Sequence, residues 1–388
     1  VDRSEEIEVL QHGEVFVEGK ALGQVADLLA GLLHLALQGI GPQPDPTGIW
    51  LQGAGLPTNG YWIMSQDTDW NIDHGNMPSS EQLTAGRRTN LIVSILTVIL
   101  VYLIGRKVTN RIGGLVGALI YGMHPLVLVT GVRAWSDPLL VFLIAAATLT
   151  AIHFAQRPRW STSVLLGLLL GLGGATKLSP LVLASGIGIL ALGLLVASIR
   201  RTTIRPLAMR LLVVPIAAWS FFLAAYPYLW TAPIDHTRRL FAFRSDSFDL
   251  QASIWTGSAI PTRQEAMRRL VTHLGDQFST TGALVTWLNQ RIGIGLPESL
   301  RYLDLVLAAT GLILLVVMLR SPAIRLTAGA TLVILGGQTA LILLSIKVDY
   351  ARYFLPVLLT VAVFAGVTIG CLWDWMRRWS EASPSTSR

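Results

Sequence analysis

The feature that most constrains this chain is a series of long apolar runs whose centres hold no Asp, Glu, Lys or Arg. A helix needs ~20 such residues to cross a hydrocarbon core. Nine runs qualify as spans, over 89–105, 113–131, 137–155, 161–175, 179–198, 211–230, 303–319, 325–345 and 353–374. The fourth and fifth are separated only by Thr176, Lys177 and Leu178, which predicts a tight hairpin. With 14% charged residues against ~25% in a soluble domain, and 52% hydrophobic residues, the composition excludes an ordinary soluble enzyme and a disordered chain. The single cysteine, Cys371, excludes an intramolecular disulfide. The expected fold class is an all-α polytopic membrane protein.

Charge placement predicts the orientation. One set of short loops carries thirteen basic residues, namely Arg106, Lys107, Arg111, Arg157, Arg159, Arg200, Arg201, Arg205, Arg210, Arg320, Arg325, Arg377 and Arg378. The other set carries four, Arg133, Lys177, Lys347 and Arg352. Basic loops stay on the cytoplasmic side. This predicts a multi-pass protein of the cell (inner) membrane, with residues 1–88 and 231–302 extracytoplasmic, spans over 89–230 and 303–376, and a cytoplasmic tail over 377–388. Within the first outer segment, Gln24, Asp27, His34 and Gln38 share one helical face of the Leu/Ala-rich stretch 21–39. That pattern predicts a helix in the membrane interface; the competing reading is a tenth span. The net charge of +7, with 26 Arg against four Lys, reflects base composition of the genome rather than nucleic-acid binding.

Three residues at the outer ends of the spans are candidates for chemistry. Asp137, in Arg133-Ala-Trp-Ser-Asp137-Pro138, opens the third span. A carboxylate at an apolar boundary is costly unless paired, hydrated or metal-bound, yet Ser136 or Asp137 also suits a helix N-cap ahead of Pro138. Lys177 either snorkels to the interface or contacts a phosphate. Arg352, next to Tyr353, suits two-pronged phosphate binding, unless Asp349 neutralises it. An acid, a lysine and an arginine at one mouth suit an anionic, lipid-linked ligand. Charge-free span centres argue against an ion-coupled transporter. His124 reads as a helix-end packing residue and His153 as chemically idle. Asp67, Asp69, Asp73 and His74 form an acidic stretch whose spacing matches no calcium loop.

Several of these runs resemble a known family. Arg88-Thr-Asn through Tyr102-Leu-Ile-Gly105-Arg106, Gly113-Gly-Leu-Val-Gly-Ala-Leu, His124-Pro125, Arg133-Ala-Trp-Ser-Asp137-Pro, Gly167 to Lys177, Tyr226-Pro227-Tyr-Leu-Trp230 and Arg352-Tyr353-Phe-Leu-Pro356 look like the GT-C fold glycosyltransferases. More narrowly, they resemble the dolichyl-phosphate-mannose protein mannosyltransferases and the bacterial aminoarabinose transferases of lipid A. The resemblance covers about 88–376, and Pro44-Asp-Pro-Thr47-Gly-Ile-Trp50 adds a looser match. It implies an inverting membrane glycosyltransferase that moves a hexose or pentose from a polyprenyl-phosphate donor to a protein, lipid or glycan hydroxyl. Asp137 then matches the family's second acidic position, which helps hold a divalent cation or the acceptor. Lys177 matches a position near the donor phosphate, and Arg352 with Tyr353 is added as a phosphate contact. The family's catalytic Asp stands in the first outer loop, and here it is expected upstream of Val1, on a longer chain. The rival expectations are a flippase for polyprenyl-linked sugars and a GT-C paralogue without catalysis.

Overall fold

The computed structural model describes residues 68–73, 80–133, 135–177, 180–199, 204–226, 229–254, 256–275 and 279–382. The interfacial helix expected over 21–39, the 44–50 run, Asp67 and His74 lie outside these residues. After a short α1 (Thr68–Asp73) come α2 (Ser80–Val108), α3 (Arg111–Gly122), α4 (Pro125–Gly131), α5 (Asp137–Gln156), α6 (Trp160–Thr176), α7 (Pro180–Ser198) and α8 (Ile204–Ala225). Within 231–302 the described residues form α9 (Pro233–Ile254), α10 (Arg263–Leu274) and α11 (Thr280–Arg291). The chain returns through α12 (Leu303–Met318), α13 (Arg325–Thr331), a π turn (Leu332–Gly336), α14 (Gly337–Ser345) and α15 (Leu355–Ala382). The described residues contain no strand beyond one antiparallel bridge, Ala259 to Val348.

The all-helical membrane architecture stands, and most of the described residues in each predicted run are helical. The count of nine full spans is not confirmed. Among the described residues, six helices are long and apolar enough to cross a membrane, or seven if the bent pair α3–α4 is one span. That pair turns by 63° at Met123 and His124. Pro125 has no N–H to continue the helix, and the His124 Nδ1 instead accepts from the Leu126 N–H at 3.1 Å, capping α4. The helix-end reading of His124 is thus met. The runs at 161–175 and 179–198 form shorter apolar helices.

Close backbone approach organises the bundle. α15 lies at its centre, with 83% of its apolar stretch buried, whereas only 17% of that of α8 is. A Cβ at Gly113 would stand 2.7 Å from the Gly366 carbonyl, and one at Gly117 would stand 2.9 Å from that of Ala362. One at Gly311 would land on the Phe364 carbonyl. α3 and α12 therefore press onto α15 through small residues, the usual device where lipid supplies no hydrophobic drive between helices. Polar groups tie the same crossings, with Asn110 Nδ2 donating to the Gly370 carbonyl at 2.8 Å and Thr368 Oγ1 to that of Leu307 at 2.6 Å.

α6 and α7 are not the tight pair that their short link suggested. α6 packs on α8, where a Cβ at Gly167 would meet Ala217 and the Val214 carbonyl. α7 packs on the π turn, with Gly186 against Val333 and Ile334. The glycine surfaces, rather than the short loop, choose the partners.

Candidate functional site

One end of the bundle gathers the start of α5, the end of α6, the loop before α15 and the helices α9–α11. Asp137 is the first residue of α5 and Lys177 caps the C-terminus of α6. Lys177 Nζ donates to Asp137 Oδ1 at 2.8 Å, and the two side chains are 6% and 4% exposed. The snorkelling and N-cap readings do not hold. Lys177 does not snorkel, and Ser136, the N-cap residue, makes no side-chain cap hydrogen bond. The ammonium also sits 4.9 Å from the centre of the Tyr353 ring. Burying two charges is costly, and only close pairing with further contacts offsets it.

Arg352 is buried on the short 3-10 turn Ala351–Phe354. Its guanidinium stands 5.1 Å from the Trp135 and Tyr350 rings and 5.6 Å from that of Tyr353. Such cation–π contacts hold a positive charge without cancelling it. Asp349 does not neutralise Arg352; it accepts from Arg269 Nη1 at 2.6 Å and pairs with His273 Nε2 at 2.7 Å. Tyr353 therefore touches both cations, and the three predicted charges converge.

Sequence reasoning assigned no role to Asn90, Trp135 or Tyr350. Asn90 Nδ2 donates to the carbonyls of Arg133 at 2.7 Å and Trp135 at 2.6 Å. It pins the segment that delivers Trp135 beneath Arg352 and Arg133 and leads into Asp137. The available signal was a polar residue opening an apolar run, which a solvated helix end also produces. His153 lies near the far end of α5, its Nδ1 2.8 Å from the Leu149 carbonyl.

The described residues offer no ready-made ligand set for a divalent cation at Asp137. Among the described residues no three His, Cys, Asp or Glu side chains cluster to hold a metal, and Asp137 Oδ1 already accepts from an ammonium. Asp69 and Asp73 lie on α1.

Residues 69–226 match the family model of the dolichyl-phosphate-mannose-protein mannosyltransferases. The match includes Asn90, Trp135, Asp137 and Lys177 and stops before Arg352. No curated protein matches the chain. Among solved structures, the chain is similar to the apo oligosaccharyltransferase of Archaeoglobus fulgidus, with 11% identity and a TM-score of 0.48 over 88% of this chain and 44% of that one. It is also similar to ArnT from Cupriavidus metallidurans bound to undecaprenyl phosphate, with 16% identity and a TM-score of 0.41 over 80% of this chain and 50% of that one. For ArnT in the apo state the values are 13% and 0.43, over 94% and 57%. The chain spans about half the length of these structures. Over residues 69–226 the chain is thus similar to the dolichyl-phosphate-mannose-protein mannosyltransferase family, the resemblance read from its residues.

Proposed function

We propose that this protein is an integral-membrane glycosyltransferase, moving a sugar from a polyprenyl-phosphate donor to a hydroxyl of a protein, lipid or glycan, with inversion. The observation that carries this is the pair of buried cations, Lys177 and Arg352, at one end of an apolar helix bundle. A lipid phosphate needs both an apolar path for its chain and positive charge at the mouth. The family match over 69–226 supports the same class of donor.

In this reading the acceptor oxygen bonds to the anomeric carbon while the carbon–oxygen bond to phosphate breaks. The bonding electrons leave with the polyprenyl phosphate, whose gained charge Lys177 and Arg352 stabilise; such electrostatic stabilisation is commonly the largest catalytic contribution. The proton lost by the acceptor passes to a carboxylate base, which the resemblance places in the first outer loop. Asp137, engaged with Lys177, acts as a positioning residue that holds the ammonium toward Tyr353.

The test is turnover of a polyprenyl-phosphate sugar by the full-length protein in nanodiscs. Lys177→Ala and Arg352→Ala should each raise the donor KM at least tenfold. Unchanged donor dependence in both variants would sink the reading. Donor crossing the membrane without sugar transfer would establish the flippase instead.

A further inference from the structure

The end of the bundle opposite the candidate site is built around arginine. Between Asp137 and Asp235 the sequence holds no Asp or Glu, yet it holds Arg157, Arg159, Arg200, Arg201, Arg205 and Arg210. Arg157 and Arg159 flank Pro158 in the turn between α5 and α6, and both are exposed. Arg210 reaches that turn from α8. Its Nη1 donates to the Pro158 carbonyl at 2.8 Å, and its guanidinium lies 6.0 Å from the centre of the Trp160 ring. The turn itself is fixed, with Thr162 Oγ1 and Ser163 Oγ donating to the Arg159 carbonyl at 2.8 and 3.0 Å. Among the described residues, none of Arg157, Arg159 and Arg210 has a carboxylate partner. The ion pair of Arg377 Nε with Glu381, at 2.9 Å, lies apart on α15.

Setting the orientation of a membrane protein needs only arginines in loops. That accounts for Arg157 and Arg159 but not for Arg210, which stands half-buried in the second turn of α8 and leans onto the turn that opens α6. The bond to Pro158 uses one of the five N–H donors of a guanidinium and leaves others for phosphate oxygens. Trp160, 50% exposed beside it, is the residue type that sits at headgroup depth. A few residues along each helix, exposed apolar side chains follow, Val164 and Leu165 on α6 and Met209 and Leu212 on α8. A phospholipid of negative charge suits both features, its phosphate the arginines and its acyl chains the apolar helix surface. A soluble anion suits only the first. Basic pockets between spans are known headgroup sites.

We infer that Arg157, Arg159 and Arg210, with Trp160, form a binding site for the phosphate headgroup of an anionic phospholipid. The bound lipid bridges the α5–α6 turn and α8, two parts of the chain that Arg210 already joins. The site uses none of Asp137, Lys177, Arg352 and Tyr353, so it stands apart from the sugar-transfer reading. A ligand that binds only the folded state raises its stability, so occupancy is expected to raise the Tm.

The experiment uses the full-length protein, stripped of lipid in detergent, with phosphatidylglycerol and phosphatidylcholine as probes. Native mass spectrometry measures the lipid retained, and the Tm is followed in parallel. Wild type should hold phosphatidylglycerol at least fivefold more tightly than phosphatidylcholine, and its Tm should rise with the first lipid alone. Arg210→Gln should abolish that preference. Arg157→Gln with Arg159→Gln leaves the bond from Arg210 to Pro158 in place, so it carries the test even where Arg210→Gln fails to fold; it should weaken the preference at least fivefold. Arg320→Gln with Arg378→Gln removes the same charge elsewhere at this end and should leave the preference within twofold. An equal loss in that control would reduce the arginines to a general attraction and overturn the site. Wild-type preference in both site variants would overturn it as well. Displacement of phosphatidylglycerol by glycerol phosphate would make this a soluble-anion site, and full displacement by an equal concentration of undecaprenyl phosphate a donor-lipid site; either would overturn the phospholipid assignment.

Discussion

Lys177 and Asp137 are 40 residues apart in sequence and 2.8 Å apart in space. Removing one member of a buried pair leaves an uncompensated charge at ~3–5 kcal/mol, whereas replacing both by apolar groups of similar size is often neutral or stabilising. This separates structure from function. Asp137→Asn should lower sugar transfer at least tenfold and also lower the Tm. The double variant Asp137→Leu with Lys177→Met should recover the Tm and remain inactive in the same assay. Recovery of transfer by the double variant would make the pair a packing device. Each charge was legible in the sequence because it stands at the end of an apolar run. Its partner was not, because pairing depends on which helices pack.

At the scale of elements, close crossings and the capped helices outside the bundle carry the testable content. Gly311→Leu should push α12 off α15 at the Phe364 carbonyl, an overpacking cost of about 1–3 kcal/mol, read as a lower Tm in detergent. A glycine that is only a filler would leave the Tm within a degree. α10 begins with Thr262 Oγ1 accepting from the Glu265 N–H at 3.1 Å. Hydrogen bonds from Arg268 and Arg269 to Glu265 lower its pKa from 4.5 to about 2. A carboxylate lowered on folding adds stability that is complete above its unfolded value and fades as pH falls through its folded one. The Tm advantage of wild type over Glu265→Gln should therefore shrink between pH 4.5 and about 2. A difference that stays constant through that window would show that the carboxylate charge adds no stability. The helices were legible from their apolar length, but the partner of α6 was not, because Gly167 meets α8 rather than the neighbour joined by the short loop.

Across the whole molecule, the α9–α11 side and the Arg157–Arg159 side lie at opposite ends of the bundle. The basic-loop asymmetry predicts that these ends lie at opposite faces of the membrane. With Cys371→Ser as background, Arg238→Cys should react with an impermeant maleimide from outside and Arg157→Cys only after permeabilisation. Labelling from the reverse sides would invert the topology. Amino-acid order alone determined the all-helical membrane class, the apolar segments and the three charges at one mouth, because hydrocarbon tolerates only apolar, internally hydrogen-bonded spans. It also carried the family resemblance, which the match over 69–226 bears out. Tertiary structure alone decided that Asp137 engages Lys177, that Asp349 turns to α10, and that Arg352 sits among rings. Burial and pairing arise where helices cross, and small residues far from the site choose those crossings.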